Sequence, residues 1–416
     1  MKEGSYKKIK EEGCCLTYDV NIADEDFSMI QGVAVERVRA EVEYPGFRKG
    51  KVPLDIINKH FSDAIRSEIR DIAVRNLLDL LFEKENIFPV VSPSVYDISI
   101  DPEKKSISFK IYIEQNPKFD PKEYTDFEVK RTLKKITDAD IDNHINSIRE
   151  YNAYLKPVEN EPVSKKHYII ADYEVYENGN KANEFKNQLI DMSSPDNIMG
   201  LDNVVIGANK GDIKEFENEF DGKKMRVVIK INDIKEKVVP ELDDNFIKQL
   251  GAKDIADLRE QVKKILEAEE NERSEKELIE NIENHLISKN EFPLPPTLVR
   301  QEMEELFEVI KKRANIPDTE NVQLKDYEDK VKPVAERNLK ITYILHQIAK
   351  KENIKSTEDD LYGELDKVVK SLKNEDEIKR ARELFEQRKD YIMASMTENK
   401  TIDFIKSKIK IVAGDK

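Results

Sequence analysis

The stretch Tyr44-Pro45-Gly46-Phe47-Arg48-Lys49-Gly50-Lys51-Val52-Pro53 carries the most chemically suggestive residue order in the chain. Its two glycines and two prolines dictate tight turns that expose what lies between them. Displayed there are one aromatic ring, Phe47, and three cations, Arg48, Lys49 and Lys51. An exposed phenylalanine is unfavourable unless a partner covers it, and the neighbouring cations suit a polyanion. The surroundings are acidic, with Glu41 and Glu43 upstream and a formal net charge of -15, so a small local contact fits better than a broad nucleic-acid-binding face. The competing reading is a plain solvated linker between two helices.

Other residue types with chemical potential are sparse. Cys14 and Cys15 are adjacent, which is incompatible with ordinary disulfide geometry, so two simple thiols at the start of a strand are a better reading than a redox pair. His60, His144, His167, His285 and His346 are scattered without ligand spacing, so no metal site is expected. Tryptophan is absent and aromatics make up 7%, which argues against a large aromatic cofactor pocket; no cofactor is expected. A phosphate-cradling Gly-Lys-Ser/Thr motif is also absent, so any activity is expected to run without ATP.

The sequence Gly46-Phe47-Arg48-Lys49-Gly50-Lys51-Val52-Pro53 resembles the ribosome-docking signature of the trigger factor family, bacterial chaperones that meet nascent chains at the exit tunnel. The resemblance implies that Gly46, Phe47, Arg48, Lys49, Gly50, Lys51 and Pro53 bind the ribosome. It also implies as partners the large subunit near the tunnel, through protein and ribosomal RNA, and unfolded nascent polypeptides. A weak homodimer away from the ribosome falls within the same implication. No apolar run is long enough to span a bilayer and no secretory signal precedes the first strand, so a cytoplasmic protein without a membrane partner is expected.

The elements that must position the loop are legible in outline. At 416 residues, 37% of them charged, the chain exceeds one core, and about two to four domains are expected. A mean hydropathy of -0.67 fits an extended outline. The predicted fold class is multidomain α+β. Residues 1–121 read as an α+β domain, which the resemblance implies is the ribosome-binding domain. Leu16, Tyr18 and Val20 alternate as a strand, Asp24 opens a helix through Phe27, Ile30, Val33 and Val38, Ile56 to Leu81 mark further helices, and a hairpin turns around Asp101–Lys105. Residues 122–163 read as a connector with a helix N-cap at Thr137.

Residues 164–238 read as a small β-rich domain, with strands over Tyr168–Val175 and Met225–Ile234 and a short helix ending near Gly207. Its order is similar to the FKBP-type prolyl isomerase domain carried by trigger factors. Such enzymes hold a prolyl ring in a dry aromatic cup and lower a rotation barrier of about 18–20 kcal/mol without a nucleophile. The resemblance implies Tyr173, Ile198 and Leu201 as cup, and therefore catalytic, residues. Where the family has Ile-Pro-Gly-Phe this chain has Ile198-Met199-Gly200-Leu201, and the loop before the last strand shrinks to Phe220–Lys224. A shallow cup is expected, with isomerase activity set against a peptide-holding or spacer role.

Residues 239–416 read as an elongated all-helical C-terminal domain. Glu267–Lys276 is almost purely charged, which suits a solvent-bridging helix, and Phe292-Pro293-Leu294-Pro295-Pro296 separates two helices. Apolar stripes at helical spacing are ordinarily core. Met303, Phe307, Met393 and Met396 are set apart as an adaptable client-binding surface, because thioethers and mobile apolar groups repack around different partners. Three functions follow in order of preference: a ribosome-docked chaperone, a free prolyl isomerase with a helical recruiting segment, and a structural adaptor.

Overall fold

The computed structural model describes residues 5–177, 179–195, 197, 200–220, 223–314 and 322–414. The chain opens with strands β1 (Tyr6–Glu12) and β2 (Cys15–Ala23), helices α1 (Asp24–Glu41), α2 (Leu54–His60) and α3 (Ser62–Glu85), and strands β3 (Ser94–Asp101) and β4 (Ser106–Glu114). The four strands form one antiparallel sheet in the order β1-β2-β4-β3. Alternation explains its one-sided burial: Leu16, Tyr18, Val20 and Ile22 of β2 and Ile107, Phe109, Ile111 and Ile113 of β4 all enter the core. Phe27, Ile30, Ala34 and Val38 of α1 and Ile65, Ile69, Leu77 and Leu81 of α3 cover that face, while Val33 stands out in solvent. Each fully buried Val, Leu, Ile or Phe side chain among them contributes about 1.5–3 kcal/mol by leaving water.

Strand β5 (Glu128–Arg131) follows, and then α4 (Asp138–Tyr151), β6 (Tyr154–Pro157), β7 (His167–Glu177), β8 (Asn180–Asp191), α5 (Leu201–Val205), β9 (Ile213–Phe220) and β10 (Lys223–Val238). The Thr137 side chain accepts from the Asp140 amide and the Asp140 carboxylate accepts from the Thr137 amide, the reciprocal cap that the sequence foreshadows. β10 is the spine of the second sheet, pairing with β7 and also with β6 and β9, and β8 lies outside β7. Helices α6 (Asp244–Gln249), α7 (Ile255–Lys289), α8 (Pro296–Arg313), α9 (Glu328–Glu352), α10 (Glu358–Ser371), α11 (Glu375–Gln387) and α12 (Lys389–Lys408) lead to a last strand, β11 (Lys410–Ala413).

Two compact units result, and they cut the chain differently from the sequence-based domains. One takes in the chain up to Arg131 together with Lys276–Gly414, and the other is Thr132–Glu275. The predicted connector 122–163 is divided between them. Its first part packs Val129, Phe127 and Tyr124 with Leu278, Ile282, Ile344 and Ile405. Its second part, α4, packs Ile141 and Ile145 against Ile247, Leu258 and Val262, so the start of the predicted C-terminal segment belongs with the inserted unit. Nor is 239–416 wholly helical, because β11 pairs in parallel with β5 at Ile411 and Val129. A four-residue strand completed by a partner about 280 positions away leaves no periodic signal of its own.

Candidate functional site

The loop between α1 and α2 consists of two consecutive turns of the same kind. The Phe47 amide donates to the Tyr44 carbonyl at 3.1 Å, and the Lys51 amide donates to the Arg48 carbonyl at 2.9 Å. In each turn the third residue is a glycine with positive φ, +86° at Gly46 and +76° at Gly50. That is the position where a type II turn excludes ordinary side chains, and Pro45 presets the second position of the first turn. Residue types alone therefore force the doubling.

Both ends of the loop are anchored. The Tyr44 ring lies 5.4 Å from His60 and meets Phe61 nearly edge-on at 6.3 Å, which pins the entrance to the junction of α2 and α3. At the exit, Arg39 Nε donates to the Val52 carbonyl at 2.9 Å, Val52 is fully buried, and the Pro53 carbonyl starts α2 by accepting from Ile56 and Ile57. Between the anchors Phe47 is 42% exposed, and Gly46, Arg48, Lys49, Lys51 and Pro53 are exposed, with Gly50 half-buried. Arg48, Lys49 and Lys51 form no ion pair among the described residues. An aromatic edge and three unneutralised cations are thus presented on a stiff frame. Sequence reasoning singled out the displayed residues but missed Arg39, whose role depends on a contact 13 positions along the chain.

In the inserted unit the expected cup is partly closed. Tyr173 is half-buried on β7 and stacks on Phe185 of β8 at 4.7 Å with an interplanar angle of 23°. Leu201 has no exposed surface and sits among Ile169, Val205, Phe216 and Ile229, so it is core and not the floor of an open cup. Ile198 lies outside the described residues. Phe185, 37% exposed, is the aromatic that the sequence did not mark: its neighbours are polar, and only strand register brings it opposite Tyr173.

Among the proposed client residues, Met303 and Phe307 are buried, each 7% exposed, which corrects their reading as open surface. The periodic stripe of α8 packs onto α9: Met303 joins Val299, Val331 and Ala335, and the Phe307 ring lies 5.5 Å from Tyr327 with Lys311 Nζ 5.7 Å from its centroid. Met393 and Met396 on α12 are half-buried. A cleft of about 710 Å³ opens beside α8 and α9, with Phe292, Leu294, Val299, Met303 and Leu324 as its apolar wall and Arg300, Lys332 and Lys340 among its charged residues. Separately, α11 buries no residue and leaves Leu384 47% exposed.

These features define a multidomain α+β protein with a loop-bearing N-terminal domain, a β-rich insertion and a helical remainder. Family models described as bacterial trigger factor protein and bacterial trigger factor protein, C-terminus, match residues 5–148 and 254–407. The chain belongs to the trigger factor family. It is 28% identical over 400 residues to a trigger factor of Geotalea uraniireducens, covering 91% of each chain, and 26% identical over 425 residues to that of Clostridium beijerinckii, covering 97% of this chain and 99% of the relative. A trigger factor of Aquifex aeolicus is 28% identical over 338 residues, or 78% of this chain and 70% of the relative. A solved trigger factor chaperone, described for promiscuous substrate recognition in folding and assembly, shares the fold with a TM-score of 0.51 at 17% identity, over 96% of this chain and 98% of that one. Among the described residues no helix is long and apolar enough to cross a membrane.

Proposed function

We propose that this protein is an ATP-independent chaperone of the cytoplasm that docks on the large ribosomal subunit beside the exit tunnel and shields unfolded nascent chains. The supporting observation is the doubly anchored loop with exposed Phe47 and unpaired Arg48, Lys49 and Lys51. Cations on a stiff frame gain from ribosomal RNA without first losing an internal partner, and the ring adds an apolar contact to ribosomal protein. The cleft beside α8 and α9 and the open face of α11 offer apolar surface for client segments. In the triple variant Phe47→Ala/Arg48→Ala/Lys49→Ala, ribosome cosedimentation should be lost while suppression of aggregation in solution persists. Normal ribosome binding by that variant would falsify the docking assignment.

For the inserted unit we favour a peptide-holding or spacer role with little prolyl isomerase activity, because Leu201 is sealed and Tyr173 already stacks on Phe185. A proline-limited refolding assay tests this, and acceleration at the level of an aromatic-cup isomerase would overturn it.

A further inference from the structure

The segment from Phe292 to Pro296 serves two neighbours. On one side it seats the N-terminal α+β domain. The Cys14 thiol donates to the Pro293 carbonyl at 3.0 Å, and Gly13, at φ +58°, lies so close that an added Cβ would stand 2.6 Å from Pro293 Cβ. Glu114, at the end of β4 and only 2% exposed, accepts from the Thr297 hydroxyl at 2.6 Å and from the Thr297 amide at 3.0 Å. Pro295 occupies the N-cap position and has no side-chain oxygen, so the first turn of α8 takes its capping carboxylate from a residue 183 positions away. Phe292 stacks on Phe119 at 3.9 Å and meets Tyr343 edge-on at 6.2 Å, and the Tyr343 hydroxyl donates to Asn116 at 3.0 Å.

On its other side the same segment contributes Phe292, Leu294 and Pro296 to the cleft. Its shape there depends on how firmly the N-terminal domain holds it, since two of the three lining residues are prolines or ring-stacked and move with the backbone. Resting on the reading of the cleft as a client site, we propose that seating of the N-terminal domain and occupation of the cleft are thermodynamically coupled through residues 292–297. A seated domain holds the wall in its client-accepting shape, and a bound client tightens the seat. Linkage makes the two effects equal in free energy. Glu114 acts in this as a positioning residue and touches no client.

The test uses the full chain and reduced, carboxymethylated α-lactalbumin as a permanently unfolded probe. Hydrogen exchange across residues 13–16 and 112–116 reports the seat, and fluorescence anisotropy reports client affinity, in the unaltered protein and in Glu114→Gln, Thr297→Val and Leu324→Asp. Coupling predicts that the probe slows seat exchange in the unaltered protein. It also predicts that both seat variants exchange faster and bind the probe at least about fivefold more weakly. Faster exchange with unchanged affinity overturns the coupling, and unchanged exchange in both seat variants overturns the seat itself. Leu324 lines the cleft but lies outside residues 292–297 and makes none of the seat's hydrogen bonds to Cys14 or Glu114. If Leu324→Asp leaves affinity intact, the client reading of the cleft fails and takes the coupling with it; if only Leu324→Asp weakens binding, the cleft stands and the coupling falls.

Discussion

Arg39 Nε and the Val52 carbonyl, 2.9 Å apart, join the body of α1 to the exit of the cationic loop. The bond stiffens a segment whose exposed residues would otherwise sample many conformations before meeting a partner. Arg39→Ala should therefore weaken ribosome binding although Arg39 lies outside the displayed triad. A hydrogen bond to a charged group contributes about 1.5–3 kcal/mol, so a loss of roughly tenfold or more in affinity is expected. Equilibrium pelleting with purified ribosomes reads it, and an affinity equal to that of the unaltered protein would show that the loop needs no such brace.

Gly46→Ala and Gly50→Ala isolate backbone strain. Nothing lies within 4 Å of a Cβ added at either position, so the cost is conformational alone, about 1–2 kcal/mol at each positive φ. Faster hydrogen exchange at the Phe47 and Lys51 amides is expected, with the four-stranded sheet unaffected. Unchanged exchange at both amides would mean that the turns tolerate a side chain.

Leu201→Ala separates core from cup. Because Leu201 is fully buried, the substitution should lower the unfolding free energy of the inserted unit by about 2–5 kcal/mol, the range for large-to-small core changes. Denaturant melts followed by tyrosine fluorescence would detect it. A stable variant with altered prolyl turnover would restore Leu201 to the cup.

Glu398 supplies a pH-dependent effect. Burial, and then the nearby Glu283 carboxylate, raise its pKa above the ordinary value, so the folded state holds the proton more tightly than the unfolded state does. Its contribution to stability is complete below the unfolded value of about 4.3 and is lost as pH rises through the raised folded value. Glu398→Gln should accordingly stabilise the protein at pH 7, with the advantage shrinking on acidification toward pH 4. Thermal melts across that interval would contradict the argument if the variant gained nothing at neutral pH or gained more in acid.

Local chemistry accounts for what was legible. The double turn at Gly46 and Gly50 follows from residue types and short-range sterics, as does the Thr137–Asp140 cap, and the alternation in β2 and the stripes of α1, α3, α8 and α9 declare their buried faces. Strand β8 was not legible, because a polar edge strand lacks the alternation of a half-buried one, and Phe185 within it gains meaning only from register with Tyr173. Met303 and Phe307 show the opposite failure: an apolar helical stripe marks a contact without saying whether a neighbouring helix or a client fills it.

By itself, then, the sequence determined the loop, its charge, the strands and helices with a clear apolar period, and membership of a family, all of which rest on neighbours in the chain. Only the tertiary structure decided which cations remain unpaired, that Leu201 is sealed, that β5 waits for β11, and that Glu114 caps α8. Those outcomes depend on groups brought together across tens to hundreds of residues. Burial and pairing are properties of such assembled neighbourhoods, and no single segment encodes them.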